Sequence, residues 1–289
     1  MNQKLHLRSS LASFLRLIRF GNLLILALTQ YCTAIFLVGP ADNWLTFLKD
    51  WKLFLIVLST FFIAAAGYII NDYYDIKIDI INKPKRVIVG KLLTRRIAIF
   101  SHTVLNLLGI FLGFIVSWKI AAINLVVAFH LWLYSNSLKR LPLVGNIAVA
   151  LLTSLSILIV GLYYKKHVNL IIIFAVFAFF ISLVREIIKD MEDIKGDHAF
   201  GCKTLPLVYG IRKTKNILYI LIGLFLVSLL LLAKDINHNL VLYFVFFILF
   251  PLGFLVYKLF ISDSSKDFRF LSKLCKVIML LGVISMILI

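Results

Sequence analysis

Residues 51–71 read WKLFLIVLSTFFIAAAGYIIN, with Lys52 as the one charge in the stretch. A run of about 20 apolar residues matches the thickness of a bilayer's hydrocarbon core. In lipid, backbone N–H and C=O groups find no water, so the run must satisfy them internally as a helix. Eight further runs meet the same criterion: 17–38, 97–117, 119–138, 143–163, 169–188, 216–233, 240–260 and 272–289. The run 119–138 is the least clean, because Asn124 and His130 interrupt it. The alternating pattern of a membrane β-barrel is missing from these runs. The spacing therefore predicts an all-α, polytopic membrane protein with nine transmembrane helices. Hydrophobic residues make up 62% of the chain, well above the about 45–50% of soluble domains. The basic, amphipathic opening of residues 1–20 shows no small-residue cleavage site, so the first run is expected to be a retained helix. Cys32, Cys202 and Cys275 have neither disulfide nor zinc spacing.

The connections sort the charge. The net charge of +18 could serve nucleic acid if it formed a soluble patch, but the basic residues lie between apolar runs. No nucleic-acid partner is expected. Of the 31 Lys and Arg residues, 25 fall on the side of the N-terminus and of the 72–96 and 185–215 loops. By the positive-inside rule that side is cytoplasmic, which suits a cell (inner) membrane protein. The two longest loops on that side follow the second and sixth runs, and both open with acid. The chain reads as a single domain over 1–289, with a weak internal duplication of four-helix units at about 17–138 and 143–260.

Eight of the 13 acidic residues lie within 71–79 and 186–197. The first stretch is NDYYDIKID, and on a continuing helix Asp72, Asp75 and Asp79 share an arc of roughly 60°. Asn71 sits at its edge, four residues before Asp75. The second is REIIKDMEDIKGD, residues 185–197, where Glu186, Asp190, Asp193 and Asp197 share a similar arc. Stacked carboxylates repel one another, so a positive partner is required. Mg²⁺ takes oxygen ligands, commonly one or two carboxylates plus phosphate oxygens and water. The residues thus point to a Mg²⁺-dependent clamp for a phosphorylated substrate at the membrane surface. Cations accompany the clusters: Lys83, Lys85 and Arg86 after the first, Arg185 and Lys189 beside the second, and Lys139–Arg140 at the end of the fourth run. Arg86 and Lys139 are assigned to the anion, while Lys85 and Lys189 read as topology signals.

With these motifs in hand, the chain resembles the UbiA superfamily of intramembrane prenyltransferases. Residues 71–79 match its NDxxDxxxD motif, and residues 186–197 match the second aspartate motif in looser form. Residues 134–140, YSNSLKR, followed by Gly145–Asn146, resemble its basic third motif. Arg19 and Asn22 sit at an Arg–Pro–x–Asn opening in which Phe20 replaces the proline, and Val87 follows Arg86 where many members have proline.

The resemblance implies nine helices around a lateral, lipid-facing cavity, with two Mg²⁺ ions joining the aspartate motifs to a polyprenyl diphosphate. It implies Asp72, Asp75, Asp79, Glu186, Asp190, Asp193 and Asp197 as metal ligands. Arg19, Asn22, Tyr68, Asn71, Arg86, Lys139 and Arg140 are implied as substrate-binding. Asp72, Asp75, Asp190, Lys139 and Tyr134 carry the chemistry, with the Tyr68 and Tyr134 rings facing a developing carbocation. His130 is expected to be a hydrogen-bonded bundle residue and not a base. The second motif looks most like the branch that joins a geranylgeranyl group to geranylgeranylglyceryl phosphate. An aromatic quinone precursor remains an alternative acceptor. A secondary transporter of an anionic metabolite is the alternative from another class, although transporter sites lie near the midplane at broken helices and these clusters lie at helix ends.

Overall fold

The computed structural model describes residues 12–39, 41–85, 87–232 and 238–289. Among them every regular element is a helix, and the sole β feature is an isolated bridge between Val89 and Leu93. Nine helices among the described residues are long and apolar enough to span a membrane, as the hydropathy pattern predicts. They are α1 (Phe20–Cys32, continuing as a π-helical stretch Thr33–Val38), α2 (Trp51–Tyr74), α3 (Arg95–Val116), α4 (Trp118–Asn136) and α5 (Val144–Tyr164). There follow α6 (Val168–Ala199), α7 (Leu205–Leu232), α8 (His238–Tyr243, a π-helical stretch Phe244–Leu249, then Phe250–Ile261) and α9 (Ser265–Ile284). Cys32, Cys202 and Cys275 are buried and form no disulfide among the described residues.

Local chemistry sets the starts of several helices. Asp50 accepts from the N–H groups of Lys52 and Leu53 at the head of α2. Thr94 and Ser117 cap α3 and α4 through the N–H groups of Ile97 and Ile120. Ser264 and Asp267 form a reciprocal capping box at α9. That box starts α9 at residue 265 and not 272, because a polar cap begins the helix before the apolar run begins. Similarly, α7 starts at 205 and not 216: an apolar turn over residues 205–209 precedes a kink at Gly210, φ 78°, and the basic residues Arg212, Lys213 and Lys215 that follow continue the helix into the apolar span.

The chain divides into two compact units, one comprising the residues up to Leu28 with Asp50–Leu138, the other Thr29–Lys49 with Lys139–Ile289. In the first, α2 packs on α3 and α4, and α3 packs on α4. Small residues allow the close approach. A Cβ at Gly109 would meet the Ile63 side chain at 2.6 Å, and one at Gly113 would meet Asn124 Nδ2 at 2.5 Å. Asn124, buried in α4, donates to the Gly109 carbonyl at 3.1 Å, which explains a polar residue in that apolar run. His130 is bonded through Nδ1 to the Val126 carbonyl of its own helix at 2.8 Å, as expected.

In the second unit α6 is central, packing on α5, α7 and α9. Its core joins Ile181, Val184 and Ile187 of α6 to Phe225, Leu255 and Phe268. The apolar residues facing outward are large: Phe100 is 70% and Phe250 77% exposed. Surface of this kind suits lipid contact and is foreign to a soluble exterior, and the chain is an integral membrane protein.

Candidate active site

The second helix places the first acid cluster. Twenty of the 24 residues of α2 suffice to cross the hydrocarbon, so its last turn, with Asn71 and Asp72, reaches the membrane boundary. The expected continuous helix is interrupted at Asp75, whose ψ of 2° ends α2 before the short helix Ile76–Asn82. The interruption preserves register: Asp75 N–H still bonds to the Asn71 carbonyl at 3.0 Å, and Asp79 N–H to the Asp75 carbonyl at 2.8 Å. Asn71 also donates its side-chain amide to Asp75 Oδ2 at 3.0 Å. The shared carboxylate face therefore survives a local bend.

Four residues separated widely in sequence meet in this unit. Arg19 Nη2 donates to Asp72 Oδ1 at 3.0 Å, and its guanidinium lies 4.8 Å from the centroid of the Tyr68 ring. The Tyr68 hydroxyl accepts from Asn22 Nδ2 at 3.3 Å. Arg19 itself has φ 51°, a left-handed conformation uncommon for a non-glycine residue. That turn ends the preceding helical segment, 12–17, and lets the Arg19 carbonyl accept from Asn22 N–H at 2.7 Å. Burial works against the Arg19 charge, but the carboxylate of Asp72, with Tyr68 and Asp79, outweighs it and raises the pKa. The opening motif thus keeps its geometry with phenylalanine at position 20.

The second cluster rides on α6, whose 32 residues extend about 48 Å, well beyond the hydrocarbon's roughly 30 Å. The surplus turns carry Asp190, Asp193 and Asp197 on one continuous helix. Asn146, 6% exposed on α5, donates Nδ2 to Asp190 Oδ2 at 2.8 Å. Asn146 was legible as part of the third motif but received no role from sequence, because the pairing depends on the packing of α5 against α6. Glu186, expected as a metal ligand, has both oxygens engaged by cations: Oε1 by Arg185 Nη1 and Oε2 by Lys189 Nζ at 2.9 Å. Lys189, expected as a topology signal, is therefore an ion-pair partner. Glu192 accepts from Arg269 Nε of α9 at 2.8 Å, tying two helix ends together.

The remaining expected residues are dispersed. Tyr134 lies half-buried in the last turn of α4. Lys139 and Arg140 form a 3₁₀ turn ahead of α5, with Lys139 half-buried and Arg140 exposed. Arg86 lies outside the described residues.

Among the described residues, no three His, Cys, Asp or Glu side chains gather into a group able to hold a metal ion by themselves. The donors at both clusters are carboxylate and amide oxygens. Such a set fits Mg²⁺, which keeps waters and takes part of its shell from substrate phosphate in place of an all-protein cage. Within the two clusters Asp72 is paired with Arg19, and Glu186 with Arg185 and Lys189.

Comparison with known proteins agrees with this geometry. The profile of the UbiA prenyltransferase family matches residues 23–281. The digeranylgeranylglyceryl phosphate synthase of Methanosphaera stadtmanae is 34% identical over 239 residues, covering 82% of this chain and 87% of that one. A solved structure from work on digeranylgeranylglyceryl phosphate synthase in membranes superposes with a TM-score of 0.72 at 25% identity, covering 97% of this chain and 98% of the other. A UbiA homolog from Archaeoglobus fulgidus bound to DMAPP and Mg²⁺ shares the fold, with a TM-score of 0.60 at 16% identity over 96% of this chain and 100% of that one. With nine spans, both aspartate motifs at helix ends and the family profile across most of its length, the chain belongs to the UbiA prenyltransferase family.

Proposed function

We propose that the chain transfers a geranylgeranyl group from geranylgeranyl diphosphate to geranylgeranylglyceryl phosphate, with Mg²⁺ held by carboxylates at the ends of α2 and α6. The observation that carries the reading is the 34% identity to a digeranylgeranylglyceryl phosphate synthase across 82% of the chain. The homolog bound to DMAPP and Mg²⁺ supports the diphosphate and the metal. Asp72 and Asp75 bind one ion and Asp190 a second, with Asp79, Asp193 and Asp197 completing the two carboxylate faces. When bound, Mg²⁺ neutralises charge growing on the departing diphosphate. Arg19, Asn71, Arg86 and Lys139 orient the diphosphate, with Asn22 holding Tyr68 in place. The Tyr68 and Tyr134 rings offer π faces to positive charge at C1. The acceptor hydroxyl forms the new ether bond at C1 as the C1–O bond to diphosphate breaks, and its proton is lost to water. The charge bias of the loops supports a cytoplasmic side for this chemistry.

Purified protein supplied with labelled geranylgeranyl diphosphate and Mg²⁺ tests the reading. Parallel reactions offer geranylgeranylglyceryl phosphate, 4-hydroxybenzoate or a naphthoate. Product with the glyceryl phosphate alone is expected. Product with an aromatic acceptor alone would keep the transfer and overturn the acceptor.

A further inference from the structure

We infer that Ser182, Arg185 and Lys189 of α6 hold the phosphate monoester of a lipid, which under the function proposed above is the phosphate of the acceptor geranylgeranylglyceryl phosphate. With Glu186 the three share one side of the helix, within an arc of roughly 100°. Their charged groups are brought together by one carboxylate. Glu186, 5% exposed, accepts from Arg185 Nη1 through Oε1 and from Lys189 Nζ through Oε2 at 2.9 Å. A guanidinium and an ammonium on the two oxygens of one carboxylate are fixed neighbours. Both are mostly withdrawn from the surface, the Arg185 side chain 17% and the Lys189 side chain 25% exposed.

Two donors of this group are unspent. Among the described residues, Ser182 Oγ and Arg185 Nε are buried and have no hydrogen-bond partner, and Ser182 as a whole is 2% exposed. They stand three positions apart on one helix, where side chains are neighbours. A buried donor without an acceptor is costly, and more so when it carries charge. Two of them side by side point to a ligand that brings acceptor oxygens. The charge balance points the same way. Between α6 and α9, Glu192 and Arg269 pair one to one. Around Glu186 two cations meet one acid, which leaves an excess of positive charge. Asp190, the next carboxylate along the helix, is bonded to Asn146 and is given to Mg²⁺ in the function proposed above. An anion with several acceptor oxygens meets both needs, and a phosphate monoester is such an anion. Arg185 offers Nε from a guanidinium already oriented by Glu186, Ser182 offers its hydroxyl, and Lys189 adds the second charge. Ser182 lies about two turns, or 12 Å, along the axis from Asp190 toward the membrane interior. The anion held here is therefore separate from the diphosphate at the carboxylates, and Glu186 positions the two cations.

The test uses full-length protein in phosphatidylcholine nanodiscs, comparing wild type with Ser182→Ala, Arg185→Lys and Arg185→Gln. Ser182→Ala removes a hydroxyl that has no partner, so the unfolding temperature without substrate should stay level or rise. Binding of labelled geranylgeranylglyceryl phosphate without Mg²⁺ should nevertheless weaken about tenfold or more in all three variants, and the acceptor KM should rise to match. The KM for geranylgeranyl diphosphate should stay unchanged. Labelled geranylgeranylglycerol, which lacks the phosphate, should bind wild type and Ser182→Ala alike; an equal loss there would overturn the phosphate assignment. Weakened binding in the variants of a protein that shows no turnover would remove the proposed function and leave the phosphate site. Unchanged binding and acceptor KM in Ser182→Ala and Arg185→Lys, with turnover intact, would remove the site and leave the function. A rise in the KM for geranylgeranyl diphosphate alone would give these residues to the diphosphate and overturn the inference. A last arm adds phosphatidic acid as competitor. Displacement of the labelled acceptor at equal concentration would make the site a holder for any lipid phosphate, and the acceptor assignment would fall.

Discussion

Asn146→Leu is the most informative single substitution in the second cluster. The Asn146 amide is buried and donates to Asp190 Oδ2 at 2.8 Å. A hydrogen bond to a charged group contributes about 1.5–3 kcal/mol, and each 1.4 kcal/mol is a factor of about ten. Leu matches Asn in side-chain heavy-atom count and branching, so no cavity forms and the polar partner is lost. Its greater bulk is controlled for by circular dichroism. An Asp190 carboxylate freed from its amide can turn away from the metal. The expected outcome is a rise of about ten- to hundredfold in the Mg²⁺ concentration giving half-maximal turnover, partly overcome at saturating Mg²⁺. Asn146→Asp places a second carboxylate against the first and should impair turnover more severely, because like charges within contact distance repel. Steady-state turnover across a Mg²⁺ titration reads both, and circular dichroism of the purified variants verifies the fold. If Asn146→Leu keeps the wild-type Mg²⁺ dependence and rate, the contact is packing only and Asp190 is not positioned by it.

Other substitutions separate neighbouring roles. Glu186→Gln should lower the thermal unfolding temperature, since Arg185 and Lys189 lose a buried counter-ion whose removal costs about 3–5 kcal/mol, yet it should retain the Mg²⁺ dependence; loss of that dependence would make Glu186 a ligand after all. Arg19→Lys keeps the charge but gives up the planar stack on Tyr68, and a raised KM for the prenyl diphosphate with acceptor KM unchanged is expected from kinetics. Gly113→Ala drives a methyl against Asn124 Nδ2 and the Ala121 backbone, which lies 3.3 Å from the added carbon; overpacking of about 1–3 kcal/mol should appear as a lower unfolding temperature in detergent, with residual activity at low temperature preserved.

The architecture was legible because bilayer thickness imposes one length on every span, and the nine apolar runs align with nine helices. The ends were less legible where polar residues continue a helix. The Ser264–Asp267 box contributes no hydropathy yet sets a helix start, and the basic residues after Gly210 interrupt the apolar run of α7 without ending the helix. The π-helical stretches Thr33–Val38 and Phe244–Leu249 have an apolar composition no different from α-helix. At the site, the i, i+3, i+7 spacing on α6 was sufficient to place Asp190, Asp193 and Asp197 on one face. The Glu186–Lys189 pair was equally open to sequence reading as an i, i+3 contact. Contacts between helices were not legible. Asn146 with Asp190, Arg19 with Asp72 and Arg269 with Glu192 each depend on which helix face meets which neighbour.

The most direct measurement is Mg²⁺-dependent turnover of labelled geranylgeranyl diphosphate by Asp72→Asn and Asp190→Asn, with wild type and an EDTA control. The two substitutions keep size and hydrogen-bonding capacity and remove one negative charge at the end of α2 or of α6. Loss of turnover in both folded variants, matching the EDTA-treated wild type, is the predicted result. Wild-type turnover in either variant would contradict the assignment of that carboxylate cluster to the metal and its diphosphate.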